Sequence, residues 1–112
     1  MIYKPYSIVI VPFPFTDRHH AKKRPALVLS HPAHQEQTGH ITLLMITSAK
    51  HSDWPSDYTI AKLATTGLSA TSIIRQKIFT IDQRLVLSEI GYLSSEDKEV
   101  ILNQLAQHLC FA

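Results

Sequence analysis

Two apolar runs separated by a short polar stretch set the strongest limit on what this chain can become. Pro25-Ala26-Leu27-Val28-Leu29-Ser30 and Ile41-Thr42-Leu43-Leu44-Met45-Ile46-Thr47 are apolar at consecutive positions, so they read as central strands covered on both faces. Residues 31 to 40 between them are polar, contain Gly39, and read as a connection. An antiparallel hairpin closed symmetrically over that connection sets Ser30 opposite Ile41, and the numbers of every facing pair then add to 71. Arg24 faces Thr47 on the same side of the ribbon, with Cβ atoms roughly 5 Å apart. A cation and a hydroxyl fixed together at the end of a rigid ribbon are the parts needed to hold a phosphate in a charged transition state. A one-residue slip or a bulge destroys the pairing.

The rest of the chain is read around that hairpin. At 112 residues it is one domain, 1–112, with room for a single core. Charged residues are only 18% of the chain, which suggests that another subunit covers part of the surface. A net charge of +2 is compatible with nucleic acid without demanding it. One cysteine, Cys110, rules out an internal disulfide and a cysteine-rich zinc site and points to a reducing compartment. The N-terminus does not read as a signal peptide and no apolar run reaches ~18 residues, so a cytoplasmic protein with no membrane contact is expected.

Ser7-Ile8-Val9-Ile10-Val11 reads as a first strand, closed by Pro12-Phe13-Pro14-Phe15. Residues 16 to 23 and 48 to 57 are polar loops, the second holding Trp54-Pro55. Tyr58-Thr59-Ile60 is a short strand, Thr66-Gly67-Leu68 a turn, and residues 72–81 a bent strand or strand pair. Leu85-Val86-Leu87 and Ile90-Gly91-Tyr92 are further β pieces, with a bulge or kink at Gly91. Only the end reads as helix: Ser94 and Asp97 form a capping pair, and Val100, Ile101, Leu105 and Leu109 recur at the spacing of one buried face. The fold expected is mainly β with short helices: a small β-barrel with a C-terminal α-helix, closure removing the exposed sheet edges.

Several residues carry alternative readings. Arg24 precedes a proline, which holds it extended, yet it also belongs to a Lys22-Lys23-Arg24 run that solvent alone would explain. Thr47 and Ser48 draw their functional weight from Arg24; alone, each is an ordinary strand-end hydroxyl. His19 and His20 offer an imidazole that titrates near ~6.5, while loop histidines are commonly just solvated. With His31, His34 and His40 they match no metal-ligand spacing. Trp54 and Phe15 suit base stacking, and Trp54 equally suits a lid on the core. Arg75 and Lys77, two apart, share one face of a regular strand, as a phosphate track or as a plain exposed face. Cys110 reads as a small buried hydrophobe. No Gly-rich phosphate loop, Gly-x-Ser-x-Gly or His-Glu-x-x-His occurs, and three glycines exclude a dinucleotide fold.

The stretches 8–17 and 22–30, then Met45-Ile46-Thr47-Ser48, residues 72–82 and Ile90-Gly91-Tyr92-Leu93-Ser94 together resemble the MazF/PemK family, the toxins of type II toxin–antitoxin modules. The resemblance runs in order from about residue 5 to 105. It implies a PemK-like, SH3-related barrel acting as a homodimer, a metal-independent endoribonuclease on single-stranded RNA with no cofactor, and a cognate antitoxin that blocks the RNA groove. DNA binding is implied for the toxin–antitoxin complex. Arg24 and Thr47 stand at the family's active-site arginine and threonine. Lys23, Ser48, Arg75, Lys77, His20 and Trp54 are the expected RNA contacts.

Three positions depart from the family. The carboxylate that well-known members carry five residues before the arginine is His19 here, which makes His19, or His20 beside it, the candidate base. The aspartate that others place two residues after the third motif's arginine is Lys77. The Gly-Asp before the first strand is Tyr6-Ser7, which puts the turn into the barrel in question. Competing readings are a non-enzymatic toxin of the same architecture that poisons DNA gyrase, and an inactive RNA-binding module.

Overall fold

The computed structural model describes residues 1–13 and 22–111. The order is β1 (Ser7–Pro12), β2 (Lys23–Val28), α1 (Pro32–Thr38), β3 (His40–Ser48), β4 (Tyr58–Thr59), β5 (Ser72–Asp82), β6 (Ser88–Tyr92) and α2 (Ser95–His108). Among the described residues the strands form one antiparallel sheet in the order β4-β5-β3-β2-β1-β6, with the hairpin strands β2 and β3 at its centre. Pairing of Ala26 with Met45, Leu27 with Leu44 and Val28 with Leu43 gives facing numbers that add to 71, and Leu29 N–H to Thr42 O continues the series.

The sheet is apolar on both faces because the central strands alternate between two clusters. Val9, Val11, Ala26, Val28, Leu43, Met45 and Phe79 pack on one side with Tyr3 and Phe13. Ile8, Leu27, Leu44, Ile46 and Ile74 pack on the other with Ile60, Leu93 and Ile101. Each of these fully buried aliphatic side chains contributes about 1.5–3 kcal/mol of transfer free energy.

The hairpin connection is not a plain loop. Pro32 opens α1, His31 caps it by accepting from Ala33 N–H (3.0 Å), and Gly39 closes it in the left-handed region. Gln35 is its buried residue: its amide accepts from Tyr3 N–H (2.9 Å) and donates to the carbonyls of Tyr3 (2.7 Å) and Ser30 (3.1 Å). It serves the N-terminal segment as a strand partner would. The following turn places Tyr6 at φ 68°, a conformation usually left to glycine. Tyr6 N–H and C=O bond Val28 and Leu93, and the Lys98 ammonium lies 4.8 Å from its ring centroid, so surrounding contacts hold the strained backbone.

Three other expectations need correction. Residues 85–87 are not a β piece: Asp82 accepts from Arg84 N–H and Val86 N–H bonds Gln83 O, making a 3₁₀ turn at Gln83–Leu85 instead. The α2 stripe is also narrower than its spacing suggests, with Ile101 fully buried but Leu109 exposed at the helix end. Cys110, just beyond, is exposed rather than buried. None of the described helices is long and apolar enough to cross a membrane.

The sheet curls into a half-barrel whose ladder does not close: β4 and β6 remain edges. The gap is spanned by the turn after β4. Thr65 Oγ1 donates to Tyr92 O (2.8 Å), and backbone meets backbone where only glycine fits. A Cβ on Gly91 would stand 2.4 Å from Thr65 O, and one on Gly67 2.2 Å from Ile90 O.

Asp97 ties α2 to the same region. It is fully buried and accepts from Ala61 N–H (3.0 Å), Lys62 N–H (2.9 Å), Ser94 Oγ (3.0 Å) and the Tyr58 hydroxyl, while Ser94 caps the helix in return. Burial alone would raise its pKa; these donors outweigh that and hold the carboxyl below its ordinary value. Replacing Asp97 with Ala strands four donors, so Asp97→Ala should cost about 3 kcal/mol or more. A urea midpoint lowered accordingly at unchanged m-value is the expected result.

Candidate functional site

A groove of about 510 Å³ opens where β2 begins and β3 ends. Lys22, Lys23, Arg24 and Pro25 form one part of its lining, Thr47 and Ser48 another, and residues 67–72 a third. Pro25 keeps Arg24 extended, and β1 pairs Arg24 with Val11. The β2–β3 pairs end at Ala26–Met45, two residues short of Arg24 and of Thr47, and β5 supports Thr47 from the other side through Ile73.

The Arg24 guanidinium carbon lies 5.8 Å from the Phe13 ring centroid, which presses the charge against an apolar surface. Its Nε is buried with no hydrogen-bond partner among the described residues. Such a donor carries a desolvation cost that an incoming anion would relieve. Thr47 is buried at 5% exposure. Ser48 Oγ accepts from Lys50 N–H (3.3 Å), starting a 3₁₀ turn and leaving its own hydrogen to donate elsewhere.

Among the described residues the groove is lined by three cations (Lys22, Lys23, Arg24), five hydroxyls (Thr47, Ser48, Ser69, Thr71, Ser72) and no carboxylate. The sequence reading missed Ser69, Thr71 and Ser72. Their signal was the local density of small hydroxyl residues after Gly67, which on its own only marks a turn.

Lys23, Arg24, Thr47 and Ser48 are therefore brought together, whereas Trp54, Arg75 and Lys77 do not line this groove. His19, His20 and Phe15 lie outside the described residues. Arg75 and Lys77 do not form the regular two-residue spacing expected of them. Between the pairs Met45–Arg75 and Leu44–Ile78 the register shifts, leaving Gln76 and Lys77 as extra residues in a bulge. Arg75 itself is buried and gives a two-pronged ion pair to Asp57, Nε to Oδ1 at 3.0 Å and NH2 to Oδ2 at 2.9 Å. Asp57 also accepts from Asp53 and Trp54 N–H, and the Arg75 guanidinium stacks 5.3 Å from the Trp54 centroid. Trp54 is thus held over Arg75 at 39% exposure rather than acting as a core lid. Burial pushes the Asp57 pKa up, but the Arg75 guanidinium and the two backbone donors bring it down to about 2. Among the described residues no cluster of three His, Cys, Asp or Glu side chains is placed to hold a metal ion.

A family model described as PemK-like, MazF-like toxin of type II toxin-antitoxin system matches residues 4–109. No curated protein sequence matches the chain. Among solved structures it is similar to the MazE–MazF complex (Form II) of Deinococcus radiodurans, at 18% identity and TM-score 0.76 over 100% of this chain and 99% of that one. A mycobacterial endoribonuclease in complex with its cognate antitoxin superposes at TM-score 0.73 and 13% identity, covering 99% and 98%. The Mycobacterium tuberculosis toxin MazF-mt6 does so at 0.71 and 20%, covering 90% and 93%. At these identities the structural likeness speaks for the fold.

The Asp57–Arg75 pair has a signed pH dependence. Its native pKa is depressed, so its contribution is complete above the ordinary value of 3.8 and is lost as pH falls towards about 2. Asp57→Asn should lower stability near neutral pH by about 2 kcal/mol and flatten the loss between pH 4 and 2 relative to wild type. Urea unfolding across that range measures both effects.

Proposed function

The chain belongs to the PemK-like, MazF-like toxins of type II toxin–antitoxin systems, and from that premise we propose that it is a metal-independent endoribonuclease of single-stranded RNA. The observation that carries the reading is a groove whose described lining holds no carboxylate, shared by a buried threonine and an arginine whose buried Nε has no hydrogen-bond partner among the described residues. That is a site complementary to a phosphodiester whose negative charge grows during reaction.

RNA supplies its own nucleophile. The 2′-hydroxyl attacks the adjacent phosphorus, its proton passes to a base, and the bond to the 5′-oxygen breaks as that oxygen takes up a proton. The products are a 2′,3′-cyclic phosphate and a 5′-hydroxyl. Arg24 stabilises the extra charge on phosphorus with its planar fork, and a guanidinium with pKa above ~12 is better suited to that than to giving up a proton. Thr47 donates to a non-bridging oxygen. His19, or His20 next to it, takes the 2′-proton. Lys23 and Ser48 hold neighbouring phosphates, Lys77 and His20 add RNA contacts, and Arg75 works through Trp54, which it braces. The single domain, 1–112, functions as a cytoplasmic homodimer neutralised by a cognate antitoxin, a partner supported by the complexes among its structural neighbours.

In EDTA, pure protein should convert a mixed-sequence RNA into discrete fragments ending in cyclic phosphate. Arg24→Ala should lower kcat/KM by about 100-fold or more, with Arg24→Lys recovering little. Intact RNA of retarded mobility would leave a binder and remove the enzyme. Undiminished toxicity of Arg24→Ala would favour a toxin that works by binding a protein. With a histidine base, the wild-type rate should climb with pH through about 6.5 and level off. Full activity in both His19→Ala and His20→Ala would dismiss that base.

A further inference from the structure

A second groove, of about 560 Å³, lies between residues 54–56 and the C-terminal half of α2. Its chemistry differs from that of the first. Trp54, Ser56, Gln76, Gln104, Gln107 and His108 line it, and neither a lysine or arginine nor a carboxylate does. We infer that this groove is a nucleobase subsite, in which one unpaired base of a bound RNA stacks on Trp54 while glutamine amides bond its edge. The inference rests on RNA being the ligand of the Arg24 groove.

The stacking platform is already built. Trp54 N–H bonds Asp57 Oδ2 (3.0 Å), and the Arg75 guanidinium that Asp57 fixes lies against the indole. No mobile side chain has to be ordered to present the ring, which lowers the entropic cost of binding. The amides are held just as firmly. The β5 bulge delivers Gln76, whose Nε2 donates to Gln104 Oε1 (3.3 Å) and whose Oε1 meets His108 Nδ1 (2.8 Å). Gln104 Nε2 in turn donates to Ser56 O (3.0 Å). Each primary amide has two N–H donors and two acceptor lone pairs, so Gln76 and Gln104 keep a donor and an acceptor in reserve after these bonds. Gln107 makes no side-chain hydrogen bond among the described residues. Fixed donors and acceptors beside an aromatic face match the edge and face of a base.

The lining excludes two other occupants. A phosphate would find no lysine or arginine among the described lining residues, and Arg75 nearby is committed to Asp57. A partner peptide docking by apolar anchors would find no aliphatic side chain larger than proline. The spacing also fits one RNA: Ser72 lines the first groove and Gln76 the second, four residues along β5, or about 13 Å of strand.

Trp54 is the chain's single tryptophan, so its fluorescence reports on the groove directly. Full-length Arg24→Ala protein is titrated with adenosine, guanosine, cytidine and uridine, with a mixed-sequence single-stranded oligoribonucleotide, and with an abasic ribose-phosphate oligomer of equal length. At least one nucleoside and the oligoribonucleotide should quench the signal, and the abasic oligomer should not. Gln107→Ala, a change at an exposed residue, should weaken nucleoside quenching several-fold. Trp54→Ala should weaken oligoribonucleotide binding by about tenfold or more, measured by anisotropy, and Trp54→Phe should restore most of it. In cleavage assays on an otherwise unaltered chain, Trp54→Ala should raise KM more than it lowers kcat. Quenching by no nucleoside, quenching indifferent to Gln107→Ala, or equal quenching by the abasic oligomer overturns the subsite. Wild-type cleavage without nucleoside quenching removes the subsite and spares the nuclease, whereas nucleoside quenching without cleavage does the reverse.

Discussion

Burial of both faces of β2 and β3 is the constraint on which the remaining structure depends. Leu27, Leu44 and Ile46 face one cluster while Val28, Leu43 and Met45 face the other. Sliding β2 past β3 by one residue would send every one of these side chains into the opposite cluster, each shaped for different neighbours. The register is thereby held far more tightly than hydrogen bonds alone would hold it. Arg24 and Thr47 inherit that precision without contributing to it, since both lie beyond the last apolar pairs. A polar pair beyond the end of a ladder is thus positioned by hydrophobic packing several residues away.

Two aspartates organise the part of the chain that the ladder does not. Between β3 and β5 runs a long segment whose strand content is just Tyr58 and Thr59. Asp57 fastens it to Arg75 of β5, and Asp97 fastens its continuation to the start of α2. Both carboxylates are consumed internally, with several donors apiece, so neither projects acidity into the Arg24 groove. These two acid groups build the frame, and the described lining of the open groove carries only cations among its charged side chains.

Much of this was legible beforehand where it depended on neighbours in sequence. The hairpin register, the Ser94 cap and the turn at Gly67 all followed from local patterns. Helix α1 did not, although Pro32 and Gly39 frame it as start and stop signals, because its buried residue is Gln35 and no apolar stripe marks it. Arg75 was misjudged for a different reason. Its partner lies 18 positions earlier in a loop, and a single sequence carries no trace of that meeting. The bulge that separates it from Lys77 is likewise invisible, since the chain reads as an unbroken strand former from 72 to 82. The lining residues Ser69, Thr71 and Ser72 became visible only once the sheet had curled back toward them.

The seam between Gly67 and Gly91 has a consequence for the Arg24 groove. Gly67 and Ile90 belong both to that seam and to the groove's lining, so the clasp that joins the two ends of the sheet also bears on the width of the mouth. The clasp is made of close backbone contact and one side-chain hydrogen bond rather than ladder bonds. The width of the Arg24 groove is then set in part by two residues that have no side chain at all.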